Sequence, residues 1–220
     1  SLGTFEDWIG SILFLFVPLL ISVFAVINGT GTLAGEEEDG RLEMIVALPL
    51  PRWQIVTAKA LALSIAAFLI LLIVSLVSAV VFMAIESQVD TDLATLDLTI
   101  KLLATWPLIF SVSMISMFLA AFCSRRRIAA LTAAVILIIS YFGSNLAGTT
   151  SVIEPFEPVF LFTYLDYTAT AVIEGQQTSD VLVLMGIGLV AFVLAIFFFQ
   201  RRKLTVGAWP WQHGKVEAQP

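Results

Sequence analysis

The chain has 220 residues, of which 59% are hydrophobic and only 13% charged, and its mean hydropathy is +0.99. A soluble domain is about half apolar and about a quarter charged, so these values exclude one and indicate a multi-pass membrane protein. The formal net charge of -6 argues against nucleic acid as a partner, and in a membrane chain the placement of charge says more than its sum.

Five apolar runs reach the roughly 20 residues that a helix needs to cross a bilayer: residues 8–29, 60–85, 102–123, 128–146 and 181–199. A backbone in lipid has to satisfy its own hydrogen bonds, and the alternating pattern of a barrel is missing, so an all-α integral membrane bundle is expected. None of the five runs contains Asp, Glu, Lys, Arg or His. Proton- or ion-coupled pumps need titrating groups at membrane depth, so uphill transport by this chain would draw its energy from elsewhere.

The connection after the first run is the only long charged passage between two apolar ones. Residues 35–59 hold four consecutive acids, Glu36, Glu37, Glu38 and Asp39, then Gly40, a short run from Arg41 to Leu48, then Pro49 and Pro51. Leu42, Ile45, Val46 and Pro49 follow the spacing of one helical face, and the prolines end it. A short surface helix over about 35–48 is expected. Its four acids would be repelled by an anionic leaflet, so a protein surface with basic groups suits them better.

Basic residues set the orientation, because Lys and Arg are retained on the cytoplasmic side. Arg41, Arg52 and Lys59 lie in or beside the first connection, Arg125, Arg126 and Arg127 in the third, and Arg201, Arg202, Lys203 and Lys215 in the tail. These segments share one face, which places the acidic passage and the C-terminus in the cytoplasm, with Lys101 the one basic residue opposite. Five crossings then put Ser1 outside with no signal segment before it, which leads to the expectation of a further crossing upstream.

Within the third and fourth runs, Ser111, Ser113, Ser116 and Met117, and then Ser140, Tyr141, Ser144 and Asn145, either pack helices together or line a substrate path. Gly186 and Gly188 read as close-packing positions. In the fourth connection the block Val159, Phe160, Leu161, Phe162, Tyr164, Leu165 and Tyr167, bounded by Pro155, Pro158 and Gly175, is too short to span and reads as an interfacial or re-entrant helix over about 155–175. Cys123, the single cysteine, reads as a packing residue, and His213 as a solvated one. No G-x-x-x-x-G-K-[ST], H-E-x-x-H, paired Cys motif or G-x-S-x-G is present, which leaves no catalytic or metal site to assign.

The run E-x-E-x-G-x-L-E, then A-x-P-x-x-R, then a Lys at the mouth of the next span, resembles the permeases of the ABC-2 type. The matching positions are Glu36, Glu38, Gly40, Leu42, Glu43, Ala47, Pro49, Arg52 and Lys59; where such permeases commonly have a Thr after the Gly, Arg41 stands here. The resemblance implies six spans in a complete permease, five of them in this chain, with a cytoplasmic coupling helix and a re-entrant segment before the last span. It further implies an exporter in a prokaryotic inner or cell membrane, built from two permease halves, identical or homologous, and two copies of a separate ATPase subunit. That subunit would bind ATP and Mg; this chain would hold no cofactor and would not itself be an enzyme. On the same basis Glu36, Glu38, Gly40, Arg41, Leu42, Glu43, Pro49 and Arg52 are the expected ATPase-coupling residues. The alternatives from the residues alone are a secondary transporter or channel without an ATPase and a non-transporting membrane scaffold.

Overall fold

In lipid a helix that stops early leaves carbonyls and amides unpaired, and in the computed structural model the backbone stays helical past the ends of most apolar runs. The structure describes residues 10–36, 51–85, 95–123, 125–147, 153–165 and 176–201. Five segments among them are long and apolar enough to cross a membrane, and the described residues contain no strand.

The first, α1 (Leu15–Thr30), is flanked by π-helical turns at Gly10–Phe14 and Gly31–Gly35. The apolar run fades at Gly29, yet helical backbone reaches Glu36. The polar residues of that last part are satisfied locally, Thr30 donating to the Val26 carbonyl (2.7 Å) and Thr32 to the Gly29 carbonyl (2.8 Å). Helical backbone thus runs on from the first span through Gly35 to Glu36, and residues 37–48 of the expected coupling helix lie outside the described residues.

Helix α2 (Arg52–Ile85) starts directly after Pro51, two turns before the expected residue 60. Tertiary packing carries that extension: Val56 and Ala60 are buried in a cluster with Leu33, Ala34, Met117 and Phe199. The third span is bent. A short amphipathic helix, α3 (Thr95–Leu103), buries Leu98 and Leu102 and is followed, after a turn at Ala104 and Thr105, by α4 (Trp106–Phe122) with Pro107 in its first turn, where a proline's missing N–H costs nothing. Helices α5 (Arg126–Ala147) and α6 (Thr178–Arg201) complete the bundle.

Helix α4 is the axis of the chain. Of its span's most apolar stretch 67% is buried, against 22% for α2, α5 and α6, and it packs most extensively on α6 and α1. The other helices turn large apolar faces outward, with Leu20, Leu61, Val80, Leu131 and Val193 all more than half exposed, as lipid-facing residues should be. Cys123 closes the end of α4 and is buried with Leu119 and Ala129, the packing position its setting suggests.

Close helix crossings use glycine where a side chain has no room. A Cβ on Gly29 would sit 2.8 Å from Ser116 Cβ, and one on Gly188 would sit 2.6 Å from the Phe110 ring and 3.3 Å from Ser111 Cα. Gly186 has nothing within 4 Å, so the expectation of a close-packing role holds for Gly188 and is corrected for Gly186. One prediction separates them: Gly188→Ala destabilises the chain by about 1–3 kcal/mol through overpacking, whereas Gly186→Ala raises stability by up to about 1 kcal/mol through helix propensity. Thermal unfolding of the two variants in detergent checks both signs.

Candidate functional site

The basic end of the bundle gathers the C-terminus of α1 and the N-termini of α2 and α5. Glu36, directly after the π turn, extends its carboxylate to the Lys59 ammonium two turns into α2. Both side chains are largely shielded, at 27% and 16% exposure. The Lys59 charge compensates that of Glu36 where both are withdrawn from water. The consequence is topological: the segments on either side of residues 37–50, the end of the first span and the start of α2, are fastened to each other.

Beside this pair, Arg126 at the first position of α5 lies over the small residues of the α1 terminus. A Cβ on Gly31 would be 3.3 Å from its guanidinium and one on Gly35 3.1 Å from its Cδ. The G-x-x-x-G spacing therefore seats an arginine here instead of another helix backbone. Asn28, Thr32, Glu36 and Arg126 line a polar cleft of about 270 Å³ at this point. Arg52, the first residue of α2, is half-buried. Of the expected coupling residues, Glu36 and Arg52 are thus placed at the two roots of one loop; Glu38, Gly40, Arg41, Leu42, Glu43 and Pro49 lie outside the described residues.

The serines of α4 are buried. Ser113 donates to the Ile109 carbonyl (2.7 Å) and Ser116 to the Val112 carbonyl (2.7 Å). The Ser111 hydroxyl lies between two acceptors, the Pro107 carbonyl of its own helix (3.0 Å) and the Leu184 carbonyl of α6 (2.5 Å). Met117 is fully buried between α1, α2 and α6 residues. These four positions converge on the packed interior of one chain, with hydroxyls satisfied by backbone.

The second group sits at the opposite end of the bundle. Ser140 on α5 accepts the backbone N–H of Leu161 (2.5 Å) and of Phe162 (3.3 Å), and the Tyr141 ring meets Phe162 edge-on at 5.3 Å. Asn145 donates to the Tyr141 carbonyl at 2.7 Å. The aromatic block of the fourth connection forms two 3-10 turns, Glu154–Val159 and Leu161–Tyr164, rather than a continuous helix, because Pro155 and Pro158 interrupt it. It still inserts: Leu161, Phe162 and Leu165 are buried with α4, α5 and α6 residues while Phe156 and Val159 are exposed. Residues 166–175 of the expected segment lie outside the described residues. The anchoring by Ser140 and the seat of Arg126 were missed in the sequence, although the Gly31-x-x-x-Gly35 spacing signals a close approach.

Comparison with known families decides the identity of this arrangement. The profile described as ABC-2 family transporter protein matches residues 2–204. The chain belongs to the ABC-2 transporter family. Comparison with curated proteins finds no match. As an ABC-2 permease the chain is a multi-pass membrane transport subunit of an ABC-type transporter, a class that is typically not enzymatic and associates with an ABC ATPase.

Proposed function

We propose that this permease is the membrane half of an exporter driven by a separate ATPase, and that residues 37–50 receive the driving movement. The observation that supports this most is the Glu36 and Lys59 pair, which fastens together the two spans that the motif-bearing passage connects, at the face carrying most basic residues. By the charge rule that face is cytoplasmic, where ATP is available. Two permease halves and two ATPase subunits would form the working assembly, with ATP and Mg held by the ATPases.

In this reading Glu38, Arg41, Glu43 and Arg52 meet the ATPase, and Glu36 acts from within the permease by fixing the root of the loop. Ser111 ties α4 to α6, and Ser113 and Ser116 pack the interior of each half with their hydroxyls satisfied by their own helix. The path for cargo runs between the two halves, and Tyr141 and Asn145 lie toward its outer end beside the inserted 3-10 turns.

The test is charge reversal in the loop. Glu38→Lys together with Glu43→Lys, reconstituted with the ATPase subunit, is expected to lower both transport and permease-stimulated ATP hydrolysis at least tenfold. Insertion and thermal midpoint stay unchanged. Stimulation at the wild-type level in that variant would show that the loop is not the contact.

A further inference from the structure

Helix α5 is keyed to its neighbours at two places and smooth between them. The stripe it turns to the core, Ala129, Ala133 and Leu137, meets α1 and α4 residues through apolar contact, which resists sliding only weakly because each atomic contact is small and undirected. At one end of that stripe stands Arg126. At the other stands Ser140, whose oxygen holds the Leu161 and Phe162 amides of the inserted turns. Residues 126 and 140 lie roughly 21 Å apart along the helix axis.

The Arg126 end is a shaped seat. The three atoms nearest a Cβ on Gly31 all belong to the Arg126 guanidinium, at 3.3 to 3.7 Å, and the three nearest one on Gly35 are Arg126 Cδ, Nε and Nη1, at 3.1 to 3.6 Å. Both glycines are therefore bare for this one side chain. They bracket the π turn Gly31–Gly35, a backbone form that recurs at functional positions, and Gly35 leads directly into Glu36, the acid held by Lys59. Retention of basic residues on this face would be met by Arg125 and Arg127 alone. It does not call for two glycines beneath their neighbour.

We propose that Arg126 is the positioning residue that makes α5 follow the foot of α1, so that movement received by residues 37–50 reaches the Ser140-held turns at the opposite end of the bundle. The inference rests on the reading of residues 37–50 as the place where the ATPase acts. A shift of the π turn toward α5 bears on the arginine stem, and the arginine, at the first position of α5, displaces the helix as a unit; a rigid helix carries such a displacement to its far end. Only 22% of the most apolar stretch of α5 is buried, so little packing opposes the motion. In this role Arg126 acts through α5 and meets neither cargo nor ATPase.

The experiment follows amide exchange by mass spectrometry in the full chain reconstituted with the ATPase subunit, without nucleotide and after trapping with ATP, Mg and vanadate. In wild type, exchange in the segment holding Leu161 and Phe162 is expected to rise at least threefold on trapping. Arg126→Ala is expected to keep nucleotide-free exchange and stimulated hydrolysis within about twofold of wild type and to lose the response to trapping. Gly31→Leu, which leaves the arginine in the chain but occupies its seat, is expected to do the same, and Arg126→Lys, which keeps stem and charge, to retain the response. A wild-type complex without any response overturns the inference before any variant is made. So does a full response in both Arg126→Ala and Gly31→Leu, or exchange already raised in both before nucleotide is added, the mark of a merely structural contact. The two readings fail separately: lost stimulation in the charge-reversed loop with a full response in the Arg126 and Gly31 variants sinks this inference alone, whereas wild-type stimulation in that loop variant removes the contact on which both stand.

Discussion

Lys59→Met lowers the thermal midpoint of the permease and cuts permease-stimulated ATP hydrolysis, and the exchange Glu36→Lys with Lys59→Glu recovers much of both. The expectation follows from shielding and position. Neither side chain is more than 27% exposed, so removing one leaves the other charge short of water as well as of its partner, a loss of roughly 1–3 kcal/mol for a charged hydrogen bond. Functionally, the root of the loop between α1 and α2 loosens, so a push on residues 37–50 is absorbed before it reaches the spans. Stability and coupling should fall together in the single variant and rise together in the exchange. Recovery of stability without recovery of stimulated hydrolysis would mean that Glu36 or Lys59 also meets the ATPase directly.

Ser140→Ala releases the inserted 3-10 turns. The Ser140 oxygen accepts two backbone N–H groups, those of Leu161 and Phe162, and both belong to buried residues. Leaving buried donors unpaired costs about 1–3 kcal/mol each. Ser140→Thr keeps the acceptor and serves as the conservative control. The chain supplies its own reporter, because its single cysteine, Cys123, is buried. Its reaction with a fluorescent maleimide during heating reads the loss of packing. Ser140→Ala should react at lower temperature and should show faster amide exchange at Leu161 and Phe162, with Ser140→Thr close to wild type. Unchanged exchange at those two amides would show that the turns are held by the Phe162 and Tyr141 contact and apolar burial alone.

What could be read from the sequence was the part governed by lipid. Five uncharged runs have no alternative to spanning helices, and the E-x-E-x-G-x-L-E pattern in its topological setting already resembled the family that residues 2–204 match. Helix ends were less legible because hydropathy fades before the helix does. The polar run after Gly29 looks like a terminus, yet Thr30 and Thr32 bond back to the helix and small residues let α4 and Arg126 approach. Likewise the start of α2 is fixed by Val56 packing on residues from other helices, which periodicity does not reveal. Pairings across the fold were the least legible. Lys59 appeared as a motif position, but nothing local announces that its partner is Glu36, 23 residues away. Gly186 and Gly188 are indistinguishable in sequence and differ only in whether α4 passes over them.

The way α4 spends its hydroxyls bears on how the bundle deforms. Ser113 and Ser116 turn their protons back onto their own helix, so at the Gly29 crossing with α1 these groups offer shape and dispersion in place of directed bonds. A seam of that kind yields to small axial slippage, because the energy of a grazing contact changes slowly with displacement. Ser111, by contrast, reaches toward the Leu184 carbonyl and rivets α4 to α6. Strain entering at the foot of α1 would therefore be taken up as shear along the α1 and α4 seam, with α4 and α6 acting as the fixed keel against which that sliding is measured.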